Sequence, residues 1–212
     1  MKILVFATHR TRSTFMCEAL SQIYNLKNLG ELHQRESLKS NDTAIKNLFE
    51  QNDFVVKFLS RYFCDDESFF NGQDWNNFDK IFFCERENIA DQIFSFYHML
   101  KERKIMKMNE ISSIDIENLL KIVSMHKKYL QKYYVVKKDI LQKYNKPTYR
   151  FVYEHFPKIN ENLNDYFSEK LGENVFLTQE KMKERKTNIL YNEKYASHYN
   201  VIEKIVSKWD LE

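Results

Sequence analysis

Six residues near the start of the chain, His9-Arg10-Thr11-Arg12-Ser13-Thr14, bring together two guanidinium groups and three hydroxyls. Such residue types hold anions: guanidinium forks carry fixed positive charge, hydroxyls donate, and the first amides of a following helix add donors and partial positive charge. That chemistry needs a rigid strand before the loop and a helix after it. Ile3-Leu4-Val5-Phe6-Ala7 reads as a buried strand, and the residues after Thr14 read as an apolar helix. The loop has no glycine and no lysine before its hydroxyl pair, so it does not match G-x-x-x-x-G-K-[ST], which argues against an ordinary ATPase or kinase. A buried strand followed by a polar turn is the reading that needs no ligand.

The chain as a whole sets the limits on this site. Its 212 residues predict one domain, 1–212, long enough for a substantial core, and 3 Gly and 2 Pro leave little material for flexible linkers. With 33 basic and 30 acidic residues the net charge is +3, so no global field selects nucleic acid or a membrane surface as partner. Cys17, Cys64 and Cys84 show neither CxxC nor Cys/His metal spacing, and no ligand cluster demands a metal. The opening apolar run is too short for a secretory or membrane-spanning segment. A reduced, cytoplasmic chain with no membrane span is expected; the oligomeric state is not encoded in any pattern.

Further apolar runs at Asp53–Leu59, Lys80–Cys84 and Thr148–Tyr153 suit strands buried on both faces. Helical spacing of apolar residues falls at Asp42–Glu50 and Asn88–Leu100, and Ser112–Tyr144 reads as one long helix or a broken pair. Alternating strands and helices predict an α/β fold with a central parallel sheet flanked by helices. Ligands of such sheets bind beyond the carboxyl ends of the strands. A second strand-to-helix turn, Cys84-Glu85-Arg86-Glu87-Asn88, carries Arg86 at the strand terminus and Asn88 as a candidate helix N-cap. Ser95 follows two turns into that helix, on a face directed toward the same ligand. Without a ligand, Arg86 reads as a surface charge paired with Glu85 or Glu87.

Taken together, these motifs resemble the sulfotransferases that use 3′-phosphoadenosine 5′-phosphosulfate (PAPS). The first loop is similar to that family's P-[RK]-[ST]-[GR]-[ST]-T run, with His9 in place of proline and Arg12 in place of the commoner glycine. Residues 86–97 resemble its R-[ND]-P-x-D-x-x-x-S-x-Y run: Asn88, Asp91, Ser95 and Tyr97 keep the register, while Glu87 stands at the arginine position and Arg86 one residue earlier. Tyr153-Glu154 resembles the family's "YED" strand end. The resemblance implies a P-loop nucleotide-hydrolase-like sulfotransferase fold, with PAPS as donor, adenosine 3′,5′-diphosphate as product and no required metal. It further implies that His9, Arg10, Thr11, Arg12, Ser13 and Thr14 hold the 5′-phosphosulfate, Arg86 and Ser95 the 3′-phosphate, and Tyr153 the adenine. A basic C-terminal loop closes the cofactor site in the family, and Arg185, Lys186 and Thr187 offer that chemistry without its glycine spacing; a solvated helix terminus explains them equally.

Sulfuryl transfer also needs stabilisation of the leaving phosphate and a proton acceptor. Arg10 is the expected leaving-group stabiliser. Lys57 keeps the lysine of the cytosolic family's K-x-H motif, but Leu59 stands where that histidine would be. Relatives acting on sugars use a glutamate after the first helix, which makes Glu31 the expected base and His33 the second choice, with desolvation raising the Glu31 carboxyl. An exposed loop carboxylate, and a Lys57 that only snorkels from a strand end, are the alternatives. The expected acceptor is a hydroxyl or amine, of a saccharide for example. The basic and aromatic run His126–Tyr134 reads as a groove for it or as the cover of an amphipathic helix. Two rival functions stand beside this one: a P-loop nucleotide phosphotransferase, and a non-catalytic anion-binding domain of the same fold.

Overall fold

The computed structural model describes residues 1–31, 50, 52–65, 74–102, 116–157, 162–177 and 193–211. Among them five strands form one parallel sheet: β1 (Lys2–Ala7), β2 (Lys27–Glu31), β3 (Phe54–Leu59), β4 (Lys80–Glu85) and β5 (Thr148–Val152), in the order β2-β3-β1-β4-β5. The helices are α1 (Ser13–Ile23), the single turn α2 (Tyr62–Asp65), α3 (Ile89–Glu102), α4 (Ile116–Lys143), α5 (Leu163–Leu171) and α6 (Glu193–Val206). The expected α/β class with a parallel central sheet flanked by helices is therefore present.

Side-chain alternation along each strand assigns the two faces. Ile3, Val5 and Ala7 of β1, with Val55 of β3 and Phe82 of β4, pack against Met16, Cys17 and Leu20 of α1 and Phe167 of α5. Leu4, Phe6, Phe58 and Phe83 point the other way, against Phe63, Trp75 and the Tyr133, Val136 and Ile140 stripe of α4, where Phe6 stacks on Tyr133 with ring centroids 4.9 Å apart. Lys57 shares the parity of Val55 and so faces α1. Glu85 shares the parity of Ile81 and Phe83 and so faces α4. Both polar residues thus point between layers. A third cluster joins Ile93 and Phe94 of α3, Leu119 and Ile122 of α4, and Ile202 of α6.

Several boundaries differ from the sequence reading, for local reasons. Asp53 lies outside β3 because its φ is +60°, and its carboxylate pairs with the amino terminus. Tyr153 is not strand: β5 ends at Val152 and a 3₁₀ turn runs from Tyr153 to His155. The long helix is unbroken from Ile116 to Lys143, with buried residues recurring at three and four spacing. Its His126–Tyr134 stretch is amphipathic, burying His126, Leu130 and Tyr133. Strand β2 and helices α2, α5 and α6 were not anticipated. The Asp42–Glu50 helix falls almost wholly outside the described residues.

The chain's switch point follows from the order. From β1 the chain passes through α1 toward β2 on one side; from β4 it passes through α3 and α4 to β5 on the other. β1 and β4 are neighbours whose connections diverge, the arrangement that in open α/β sheets leaves a crevice beyond the carboxyl ends.

His126, on the α4 stripe, is fully buried beside Phe96, and among the described residues neither ring nitrogen has a hydrogen-bond partner. Burial alone takes its pKa down to about 3. The folded chain thus refuses a proton that the unfolded chain accepts near pH 6.5, so stability is full above that pH and is lost as pH falls from 6.5 toward 3. Urea unfolding should show the His126→Leu variant losing stability less steeply than wild type between pH 6 and pH 4, by about 1.4 kcal/mol per pH unit.

Candidate functional site

The loop after β1 is strained where it turns. Arg10 and Arg12 both adopt left-handed backbone, with φ of +61° and +58°, a conformation that bulky side chains take at a cost and that favours glycine. Such outliers concentrate at functional sites because the surroundings must enforce them. Here the enforcement is visible. The Gln92 side chain, fully buried on α3, donates to Thr8 Oγ1 at 2.5 Å and to the His9 carbonyl at 2.6 Å, and the Thr11 hydroxyl donates to the Thr8 carbonyl at 3.1 Å. The His9 ring is buried edge-on to Phe96, 4.6 Å between centroids. Desolvation, then His126 and the cations Arg61, Lys57 and Arg10, hold its pKa well below the ordinary histidine value.

Inward-facing His9 and Thr11 therefore serve as scaffold through their side chains, while Arg10, Arg12 and Thr14 lie at the surface of the loop. Arg12 is the residue preceding α1, and among the described residues no side chain caps that helix. The amides of its first turn have no intrahelical acceptor, as at any helix start, and so supply backbone donors beside the loop. Ser13 is buried at the helix start and Thr14 is exposed beside it.

Lys57 approaches from the sheet. Its side chain is only 6% exposed, and its Nζ donates to Thr14 Oγ1 at 2.8 Å and pairs with Glu31 Oε1 at 2.7 Å. Glu31 sits directly across from Lys57 in the β2–β3 register, and its Oε2 accepts from the Tyr62 hydroxyl at 2.7 Å and lies 3.6 Å from Arg61 Nη2. Burial pushes the Glu31 carboxyl up, as the sequence suggested, but Lys57, Tyr62 and Arg61 together outweigh it and hold the carboxyl below the usual range. The expected rise is thus reversed in direction. Glu31 is an ionised, ion-paired group at neutral pH. Nor is Lys57 a snorkelling strand end: it is a buried charge two residues inside β3.

The second turn meets the first across the crevice. Arg10 Nε donates to Ser95 Oγ at 2.7 Å, joining the β1 loop to α3. The Asn88 side chain accepts from the Asp91 amide at 3.0 Å, as an N-cap should. Arg86 is not the surface charge paired with its neighbours that the sequence allowed. Its side chain is 10% exposed, its guanidinium lies 4.1 Å from the Tyr153 ring centroid, and its partners are Glu154 and Asp91. Arg12 lies over the same ring at 4.8 Å. Tyr153 thus gathers two guanidiniums from two loops.

Of the residues singled out from sequence, Arg10, Arg12, Ser13, Thr14, Lys57, Glu31, Arg86, Ser95 and Tyr153 come to the carboxyl edge of the sheet around β1. His33, Arg185, Lys186 and Thr187 lie outside the described residues. Gln92, Arg61, Tyr62 and Glu154 were missed. Gln92 carried a readable signal, since it lies three residues before Ser95 and therefore on the same helix face. Among the described residues no group of three or more His, Cys, Asp or Glu side chains is placed to hold a metal ion, and no helix is long and apolar enough to cross a membrane.

In comparisons with known proteins, no family model and no curated protein matches the chain.

Replacing Gln92 by Ala strands the Thr8 hydroxyl and the His9 carbonyl in the interior. Chemical denaturation should register a loss of about 1–3 kcal/mol, with the melting temperature falling accordingly. An unchanged denaturation midpoint would mean that the loop is not held by this amide.

Proposed function

We propose that this chain is a sulfotransferase that moves a sulfonate group from PAPS to a hydroxyl or amine of an acceptor, a saccharide being one such class, within a P-loop-like sulfotransferase fold. The observation that supports it most is the glycine-free, left-handed loop between β1 and uncapped α1, whose Arg10 reaches Ser95 across the crevice. Two strand-to-helix turns meeting at one switch point suit a ligand with two separated anionic groups. A nucleoside triphosphate with magnesium is less well matched, since the loop lacks the Gly-Lys pair.

The residues fit such a donor in three places. The first-turn amides of α1, with Arg10, Arg12, Ser13 and Thr14, suit the 5′-phosphosulfate; Arg86 and Ser95 suit the 3′-phosphate, and the Tyr153 ring, over which Arg12 and Arg86 lie, suits adenine once those guanidiniums turn to the phosphates. When bound, PAPS supplies a sulfonate on a phosphate leaving group. With that donor bound, Arg10 would stabilise the negative charge left on the departing phosphate. Lys57, between Thr14 and Glu31, is placed to bring positive charge to the transferring sulfonate. Glu31 takes the acceptor proton once Lys57 turns toward the sulfonate, because losing that partner removes the strongest influence holding its carboxyl down.

The engagement of Glu31 by Lys57, Tyr62 and Arg61 favours one alternative, an anion-binding domain without catalysis. Thermal shift separates the possibilities. Adenosine 3′,5′-diphosphate should raise the melting temperature without metal, and a response only to ATP with magnesium would refute the sulfotransferase reading. Radiolabelled sulfate transfer from PAPS then tells enzyme from binder. Arg10→Ala should lower transfer by about 10²-fold or more, and Glu31→Gln by about 10²–10⁴-fold.

A further inference from the structure

Glu154 follows Tyr153 in the 3₁₀ turn after β5, and its carboxylate is held at the start of α3. Its Oε1 accepts from Arg86 Nε at 3.2 Å and from the Asn88 amide at 3.2 Å, and its Oε2 accepts from the Glu87 amide at 3.0 Å. These donors belong to the turn assigned above to the nucleotide's second phosphate. Arg86 has a further acidic partner, Asp91 Oδ2 at 3.5 Å, and Glu87 Oε2 lies 3.5 Å from His155 Nε2.

The chain has therefore filled its own second anion site with a carboxylate. An exposed glutamate gains little from an ordinary surface ion pair, but this one satisfies two backbone donors at a helix start together with a nine-tenths-buried guanidinium. A phosphate arriving at Arg86 meets donors already taken and a like charge a few ångströms away.

We propose that Glu154 is an internal competitor for the 3′-phosphate and so a specificity-determining residue: a nucleotide's second phosphate binds by displacing this carboxylate from Arg86 and the Glu87 and Asn88 amides. The inference rests on the sulfotransferase reading of the site. A nucleotide carrying only a 5′-phosphate leaves Glu154 in place. The contact thus lowers the advantage that a 3′-phosphate would otherwise give, and holds the Tyr153 turn against α3 until a doubly anionic ligand arrives.

Isothermal titration with adenosine 3′,5′-diphosphate and adenosine 5′-monophosphate tests this on the full chain. Glu154→Gln should bind the diphosphate at least about tenfold more tightly than wild type, or about 1.4 kcal/mol, with monophosphate affinity within about twofold. Glu154→Asp, whose shorter carboxylate cannot span all three donors, should show an intermediate gain and serves if the glutamine variant does not fold. In the Glu154→Gln background, Arg86→Ala should cancel the gain. Equal diphosphate affinity in wild type and both variants, or an equal tightening of both nucleotides, overturns the role of Glu154 alone. Binding of neither nucleotide to any variant overturns the sulfotransferase reading and this inference with it.

Discussion

A lysine ammonium in the interior of the sheet constrains everything around it. Lys57 points into the layer between β3 and α1, where an unpaired charge would be prohibitively costly. It must therefore be met by Glu31 on one side and Thr14 on the other. Meeting both ties β2 to β3 and the first turn of α1 to the sheet. The same ammonium that stabilises this corner is thereby carried to the edge of the β1–α1 loop, beside an exposed hydroxyl. Structural and chemical demands coincide at one atom.

The opposite face solves a similar problem with a different set. Glu85, at the carboxyl end of β4, is enclosed by Lys137 and Tyr133 of α4 and by Arg150 of β5. Burial pushes its carboxyl up, but Lys137 and Arg150 bring it below the usual range, so it stays charged and clamps α4 to the sheet. The buried Gln92 amide completes the frame by fastening the β1 loop to α3. With both layers anchored near the carboxyl edge, the two strand-to-helix turns are held at a fixed separation. Preorganisation of that kind is what lets charges on different elements act on one ligand.

How much of this was legible depends on whether local pattern or tertiary contact decides each element. The β1 loop was legible because strand, polar turn and helix are contiguous, and because hydrophobic runs mark β3, β4 and β5. β2 was not. Its sequence, Lys-Asn-Leu-Gly-Glu, buries only Leu29, and a register shift between Asn28 and Gly30, with Gly30 at φ +61°, breaks the alternation that would reveal a strand. Helix α5 did carry signals that were passed over: Asn162 caps it and Gly172 ends it at φ +67°. For Glu31 the sequence supplied the residue but not its environment, since Lys57, Arg61 and Tyr62 lie some 26 or more positions away and reverse the sign of its shift. Glu154 was hidden for the same reason. Nothing local announces that a carboxylate in the turn after β5 will bond to amides 66 and 67 positions earlier.

The left-handed arginines carry an evolutionary consequence. At Arg10 and Arg12 a glycine would relieve backbone strain, yet each such change would delete a guanidinium from the mouth of the crevice. Backbone ease and positive charge therefore make opposite demands on the same two positions. With arginine at both, the chain holds charge at the expense of backbone ease, and a glycine at either would leave that charge to be supplied from another element.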